Sequence, residues 1–197
     1  MKYEMFGEVV DGLQRIRALK DFGDVKVGDV GGWIENESNL SHDGDCWVAG
    51  NAQVFQDAKV SDSVRVSESA RVFGNAKVSG AARIFDHVAI SGCAVVCEYT
   101  RVFGNANVGG NANVFGHARV YGNAQVYGIN RSDGYAFCYV PDEGGTMRVI
   151  AGCRYFTMKE AKAHWKKTRG GTPLGKETMG ILKALTILAK TSPGGCV

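Results

Sequence analysis

GDCWVAGNAQVFQDAKVS (44–61) reads as three units of six residues, and the same unit repeats without insertion as far as Tyr127. We call each unit a hexad. The fifth place is Val or Ile in all fourteen hexads, and the third place is Ala in ten of them. The other third places hold Cys46, Val64, Val88 and Thr100. A fixed short period of this kind predicts a β-solenoid.

The geometry of the coil follows from the hexad. Side chains alternate along a strand, so the apolar third and fifth places both point inward. The first two places are often Gly-Asn, a pair that tolerates the left-handed backbone of a corner. Three hexads then close a triangular coil of eighteen residues. Fourteen hexads give about 4.7 coils, stacked about 4.8 Å apart.

These hexads resemble the left-handed β-helix of the hexapeptide-repeat superfamily. The resemblance implies the left-handed crossover, which is otherwise rare. It implies little about function, because transferases, anhydrases and binding proteins all use this scaffold. We therefore expect a mainly β fold with 1–43 as an N-terminal β cap, 44–127 as the solenoid and 128–197 as a C-terminal α+β module.

The N-terminal cap has the pattern of a hairpin. KYEMFGEVV (2–10) and LQRIRAL (13–19) flank a turn at Asp11-Gly12. The Gly- and Asp-rich segment that follows ends at Trp33. A solenoid end exposes its axis and strand edges and needs a lid. We expect Trp33 to cover the first coil.

The register stops after Tyr127, and 128–133 has the composition of a linker. SDGYAFCYV (132–140) and TMRVIAG (146–152) predict two strands joined across PDEGG (141–145). Thr157 and Glu160 form a capping box for one helix. Thr172-Pro173 begins a second, which runs to about Lys190. Its apolar face either packs on the small sheet or meets a second subunit: Leu174, Ile181, Leu182, Leu185 and Leu188.

Charge and cysteine content limit the cellular setting. Residues 1–43 carry five basic and nine acidic side chains, and residues 128–197 carry eleven and five. The basic C-terminal region indicates either an anionic contact or a solvated helix surface. The six cysteines have no CxxC pair, and the first residues do not resemble a signal peptide. We expect a cytoplasmic, reduced protein without zinc or another cofactor, and no membrane contact.

The histidines of the repeat do not have the setting of a catalytic base. Hexapeptide acyltransferases typically carry loops that interrupt the coils, together with a histidine base. Here no loop interrupts the hexads, and His87 and His117 fall on different edges of the prism. Neither has an acidic residue spaced to orient it. The sequence therefore predicts that the protein is not an enzyme, with a hexapeptide acyltransferase as the less favoured class.

One face of the prism combines positive charge with aromatic rings. Residues eighteen apart stack vertically, which places four arginines in a column: Arg65, Arg83, Arg101 and Arg119. The sixth places of the same face add Phe85, Phe103 and Tyr121. We take these seven residues as the candidate ligand-binding site. Two structural explanations of the arginine column stay open. In the first, Asp62 and Glu98 neutralise part of its charge; in the second, the guanidinium groups stack on the aromatic rings.

The order GDVGGWIE (28–35), NLSHDG (39–44), the hexads and IAGCRYFTMKEAKAHW (150–165) resembles proteins of tailed bacteriophages and prophages. By analogy, the resemblance implies a non-enzymatic binding protein in the bacterial cytoplasm that acts against a host defence system. Its partner would be an anionic, nucleotide-like small molecule or a host protein. Nucleic-acid binding and structural assembly are the alternatives. We also expect a homo-oligomer, with a trimer favoured.

Overall fold

A computed structural model describes residues 1–141, 146–152 and 154–191 of the chain. The N-terminal hairpin is present as predicted. It consists of β1 (Tyr3–Val10) and β2 (Leu13–Ala18), which pair antiparallel across Asp11-Gly12. Both turn residues have a left-handed backbone, with φ of 51° and 79°.

The third strand belongs to the solenoid. β3 (Val30–Ile34) is followed by a short 3₁₀ turn (Glu37–Asn39) and pairs with β2 on one side. On its other side β3 runs parallel to the first solenoid strand of that face, with Trp33 opposite Gln53 and Ile34 opposite Val54. Leu40 bridges Val60 in the same parallel sense.

The prediction that Trp33 covers the first coil is wrong. Ile34 takes the inward position and is fully buried, so alternation turns Trp33 outward, where the Arg15 guanidinium lies 4.6 Å from its ring centroid. The end of the axis is covered instead by Tyr3 and Ile16, both fully buried.

Close approach of the backbone completes this N-terminal lid. A Cβ at Gly31 would lie 2.6 Å from the Trp47 ring and from the Val48 carbonyl oxygen. Glycine therefore lets β3 lie directly against the first coil.

Short strands follow one another through the hexads, and each pairs in parallel with a strand eighteen residues before or after it. They are β4 (Trp47–Val48), β5 (Gln53–Val54), β6 (Lys59–Val60), β7 (Arg65–Val66), β8 (Arg71–Val72), β9 (Lys77–Val78), β10 (Arg83–Ile84), β11 (Ala89–Ile90), β12 (Val95–Val96), β13 (Arg101–Val102), β14 (Asn107–Gly110), β15 (Asn113–Val114) and β16 (Arg119–Val120). This confirms the predicted parallel β-solenoid of about five coils with eighteen residues per coil.

The strands form three faces. One contains β4, β7, β10, β13 and β16, and we call it the arginine face. The second contains β6, β9, β12 and β15. The third contains β5, β8, β11 and β14, and it continues into β3 at one end of the solenoid.

All fourteen hexads begin at a left-handed corner. The first-place residue has φ between 57° and 75° in every hexad, including the five that are not glycine: Gln56, Asp62, Glu68, Asp86 and Glu98. A non-glycine residue in this conformation carries a steric cost. The six-residue period therefore imposes the left-handed corner, and where glycine is absent another interaction must offset the steric cost.

The compensation is a side-chain hydrogen bond to the next coil. In all five cases the side-chain oxygen accepts the backbone N–H of the first-place residue eighteen positions later, at 2.7 to 3.2 Å. These bonds tie adjacent coils together at the corners.

The core lies on the axis of the prism. Every fifth-place side chain is at most 1% exposed, and so is every third-place side chain except the half-buried Ala124. Cys46 is among them, as its inward third place in the hexad predicts. Small alanines at the third place leave room for the branched side chains to meet on the axis.

The solenoid continues directly into the C-terminal unit. β17 (Gln125–Asn130) pairs in parallel with β14 as far as Gly128 and antiparallel with β18 (Ala136–Pro141) at Ile129 and Asn130. The linker predicted at 128–133 is therefore strand up to Asn130, because both neighbours supply pairing.

An antiparallel sheet and two helices complete the chain. β19 (Met147–Ala151) pairs with β18 as predicted, and β20 (Arg154–Thr157), which was not predicted, pairs with β19. The predicted turn PDEGG lies outside the described residues after its first residue, as do Cys153 and Cys196. The capping box of α1 (Met158–Arg169) is confirmed.

The second helix, α2 (Pro173–Thr191), begins at the predicted proline, and the Thr172 hydroxyl accepts the N–H of Gly175. Its apolar face packs on the small sheet through Ile181, Leu182 and Leu185, whereas Leu188 is 42% exposed. None of the helices in the described ranges combines the length and apolar character needed to cross a membrane.

The β18–β19 hairpin has a different core on each face. Phe137 and Val149 pack against the helices, whereas Cys138, Val140 and Ile150 are part of the solenoid core. Cys138 Sγ also accepts the backbone N–H of Asn113 at 2.8 Å. The hairpin therefore closes the second end of the solenoid axis.

Candidate functional site

The structure places the four arginines of the candidate site on adjacent rungs of the arginine face. Arg83 lies directly opposite Arg65 on one side and Arg101 on the other, and Arg101 lies opposite Arg119. Rungs are about 4.8 Å apart, so like charges repel unless something compensates them.

Arg65 is engaged by the N-terminal cap. Its guanidinium forms an ion pair with Asp24, donates to the Asp45 carbonyl oxygen and is largely buried, with 17% of the side chain exposed. The hydrogen bond from Arg65 lowers the pKa of the Asp24 carboxyl below its usual value, and the charge of Arg83 adds to this effect. Arg65 therefore has a structural partner and is not a free ligand contact.

Arg83 and Arg101 are both exposed. In the part of the chain that the structure describes, no hydrogen bond or ion pair engages either guanidinium. Arg71, on the third face, does lie over aromatic rings, with its guanidinium carbon 5.4 Å from the ring centroid of Phe55 and 5.6 Å from that of Phe73. Ring stacking therefore does not account for Arg83 and Arg101.

The acidic residues at the start of these hexads serve the corners. Asp62 Oδ2 accepts the N–H of Gly80 at 2.7 Å, and Glu98 Oε2 accepts the N–H of Gly116 at 2.9 Å. Neither carboxylate forms an ion pair with an arginine of this face among the described residues. The positive charge of the central rungs is thus left available for an anion.

The aromatic residues of the candidate site form a separate stack. Phe85 lies over Phe103 at 5.1 Å between ring centroids, and Phe103 lies over Tyr121 at 5.5 Å. All three are half-buried at the sixth places, along one edge of the arginine face.

A groove of about 360 Å³ lies on the other side of the arginines, and we call it the arginine groove. It is lined by Ala81, Arg83, Tyr99, Arg101, His117 and Arg119. It thus contains three of the four predicted arginines and none of the three predicted aromatic residues. Its rings are Tyr99 and His117, which stack at 5.1 Å with 7° between their planes.

Sequence reasoning missed Tyr99 and considered His117 only as a possible catalytic base. The signal was present, because 81, 99 and 117 are eighteen apart and occupy the second place of three successive hexads on the arginine face. Applying the same spacing to the second place would have brought these residues beside the arginines.

A second and larger cleft of about 760 Å³ lies between the N-terminal hairpin and the third face. Its lining includes the acidic Asp11 and Glu35 and the cationic Arg71. Because its charges are mixed and Arg71 already lies over two rings, this cleft is a weaker candidate for an anion.

Cysteine and metal chemistry have no visible centre in the described ranges. Cys46 and Cys138 are buried thiols, Cys93 is exposed and Cys97 is half-buried. Burial raises the pKa of the Cys138 thiol to about 11, so it stays protonated and unreactive near neutral pH. No group of three or more His, Cys, Asp or Glu side chains among these residues is placed to hold a metal ion.

Comparison with known proteins gives a partial match. No family model matches the chain. A 50-residue segment, 25% of the chain, is 44% identical to the uncharacterized acetyltransferase YdcK of Escherichia coli (strain K12). The chain spans about 15% of the length of that protein. Together with the eighteen-residue coils, this similarity supports a hexapeptide-repeat β-helix.

The same match corrects one prediction. The sequence predicted a protein that is not an enzyme, on the ground that no loop interrupts the hexads and no histidine is oriented as a base. That prediction is wrong, because the similar protein is named as an acetyltransferase. The phage context of the chain stays a prediction.

Proposed function

We propose that this chain binds the nucleotide part of an acyl donor in the arginine groove and takes part in acetyl transfer. The observation that carries the proposal is the pair Arg83 and Arg101, two exposed guanidinium groups on adjacent rungs beside the stacked rings of Tyr99 and His117. Guanidinium forks suit phosphate oxygens, and an aromatic ring offers a face to a base.

The similarity to YdcK supports acetyl transfer as the reaction. Coenzyme A is a common carrier of acyl groups and combines an adenine nucleotide with several phosphates. In the transfer, the acceptor nucleophile forms a bond to the acetyl carbonyl carbon, the carbon–sulfur bond of the thioester breaks, and the carrier leaves as a thiol with the proton that the acceptor loses. In this proposal the arginine groove binds and orients the donor by its nucleotide end.

The size of the groove favours a small anion over a nucleic acid. Single-stranded nucleic acids are usually bound along extended basic tracks. Here Arg65 already has Asp24 as its partner, and the groove of about 360 Å³ is confined to the rungs of Arg83, Arg101 and Arg119. Action against a host defence system, which the phage resemblance implies, would draw on the same nucleotide chemistry and stays a prediction.

A charge-matched pair of variants tests the proposal. Arg83→Gln with Arg101→Gln should weaken binding of acetyl-coenzyme A by at least about 100-fold in calorimetric titration, because each arginine gives a charge-assisted hydrogen bond of about 1.5–3 kcal/mol. The melting temperature should not fall, because neither guanidinium forms a hydrogen bond or ion pair within the described part of the chain and the two like charges repel each other.

Lys59→Gln with Lys77→Gln is the control. These lysines are also exposed and paired on adjacent rungs, but they lie on the second face. This double variant removes the same charge and should bind acetyl-coenzyme A normally. Equal loss in both double variants, or normal binding by the arginine variant, would contradict the proposal.

A further inference from the structure

The solenoid stacks aromatic rings wherever they recur eighteen residues apart. Phe55 lies over Phe73 and Phe85 over Phe103, both at 5.1 Å between centroids and with 4° and 3° between planes. Tyr99 lies over His117 at the same distance. The coil spacing thus places two rings one rung apart at the separation of an offset stack.

The stack of Tyr99 and His117 ends at Ala81. Ala81 donates its N–H to Glu98 and Tyr99 donates to Gly116, so Ala81 lies one rung before Tyr99 at the same place of the hexad. Alanine brings only a methyl group to that rung. Tyr99 is 64% exposed, and both residues line the arginine groove. One face of the Tyr99 ring therefore has no aromatic neighbour from its own column.

Positive charge lies next to this open position. Arg83 follows Ala81 by two residues in the same hexad, and Arg101 follows Tyr99 in the same way. Side chains at the second and fourth places both line the arginine groove. A planar ring at the level of Ala81 would therefore lie beside the guanidinium groups of Arg83 and Arg101.

From this arrangement we propose that the rung of Ala81 is a ring subsite, in which an aromatic base of the ligand stacks on Tyr99 while its phosphates bind Arg83 and Arg101. The subsite rests on the proposed function and specifies its ligand class as a nucleotide with an exposed base. The ligand base takes the place that a third aromatic residue would have in the column of Tyr99 and His117.

The subsite can be closed without removing any contact that holds the fold. In Ala81→Phe the new ring occupies the rung below Tyr99, in the same way that Phe85 occupies the rung below Phe103. Binding of ADP and of inorganic pyrophosphate is measured by calorimetric titration for the native chain, Ala81→Phe and the control Ala81→Ser.

The native chain should bind ADP at least about tenfold more tightly than pyrophosphate, which is the range expected for stacking one base. Ala81→Phe should lower ADP affinity to that of pyrophosphate and leave pyrophosphate binding unchanged. Ala81→Ser should behave like the native chain. Tyr99→Ala should also remove the preference for ADP, by deleting the ring itself.

Several results would overturn the subsite. These are native binding of ADP by Ala81→Phe, equal affinity of the native chain for ADP and pyrophosphate, and no binding of either probe. If Ala81→Phe binds ADP as the native chain does, and the native chain binds acetyl-coenzyme A tightly, the ring subsite is wrong but the proposed function still holds. If Ala81→Phe loses the preference for ADP but the native chain does not bind acetyl-coenzyme A, the ring subsite holds and the proposed acetyl donor is wrong.

Discussion

Asp86 Oδ2 accepts a 2.7 Å hydrogen bond from the backbone N–H of Gly104, which begins the corresponding hexad of the next coil. Asp86 itself has a left-handed backbone with φ of 62°, and its own N–H donates to Glu68 at 3.2 Å. One side chain therefore offsets the steric cost of its corner and connects two coils.

Replacing this side chain should destabilise the solenoid. Asp86→Ala should lower the free energy of unfolding by about 2 kcal/mol, since it deletes the hydrogen bond to Gly104 and places Ala in a left-handed conformation. Urea unfolding measures the change. Asp86→Asn keeps an acceptor oxygen and tolerates the same backbone, so it should cost less than half as much. Equal losses in the two variants would show that the hydrogen bond contributes nothing.

Alanine substitutions at two corner glycines distinguish the cost of backbone strain from the cost of steric contact. Gly80 and Gly122 have φ of 71° and 65°, but a Cβ at Gly80 would lie 2.6 Å from the backbone N of Glu98, whereas a Cβ at Gly122 meets nothing within 4 Å. Gly122→Ala should cost about 1–2 kcal/mol from the left-handed backbone alone. Gly80→Ala should cost clearly more in the same urea titration. A smaller loss at Gly80 than at Gly122 would contradict the close coil packing.

The C-terminal unit should lose stability in acid through one ion pair. The Arg131 guanidinium holds the pKa of the Asp133 carboxyl at about 2, below its ordinary value of 3.8. Because the folded state has the lower pKa, the charged carboxylate stabilises the fold fully above about pH 4, and this contribution disappears as pH falls to about 2. Asp133→Asn should therefore be less stable than the native chain at pH 6 and equally stable near pH 2. A difference that does not vary over this range would be inconsistent with the ion pair.

The protein should sediment as a trimer of about 63 kDa, three times the 21.1 kDa of one chain. Left-handed β-helices of the resembled superfamily commonly pack about a threefold axis. Sedimentation equilibrium at micromolar concentration is the measurement. A mass near 21 kDa would contradict this prediction.

The solenoid could be predicted because one chemical rule repeats at a fixed interval. A residue that tolerates a left-handed corner, followed by inward third and fifth places, fixes both the coil and the partner eighteen residues away. β3 was not predicted because its parallel partner lies twenty residues further on instead of eighteen, with Ile34 opposite Val54. Leu40, which follows the strand, lies opposite Val60 at the same spacing. Two residues, His42 and Asp43, are inserted before the hexads begin at Gly44.

The candidate site could be predicted only in its periodic part. The spacing placed Arg83 and Arg101 on neighbouring rungs, as the structure has them. It could not show that Asp24, 41 residues earlier in the chain, reaches Arg65, because that contact follows the path of a loop. The periodic pattern also gives no means of choosing between the sixth-place rings and the second-place rings as neighbours of a groove.

The assignment of residues 128–197 to a C-terminal α+β module stays a prediction. Cys138, Val140 and Ile150 of this unit are part of the solenoid core, so the unit also covers the second end of the solenoid. These contacts join residues that the hexad pattern does not include, so the sequence could not assign them.

A crystal structure of the full chain with acetyl-coenzyme A would show where the donor binds. We expect ligand density in the arginine groove, with phosphate oxygens at hydrogen-bond distance, about 2.7–3.2 Å, from the guanidinium groups of Arg83 and Arg101. Density for the ligand in the cleft beside Arg71, or an empty arginine groove at saturating acetyl-coenzyme A, would contradict it.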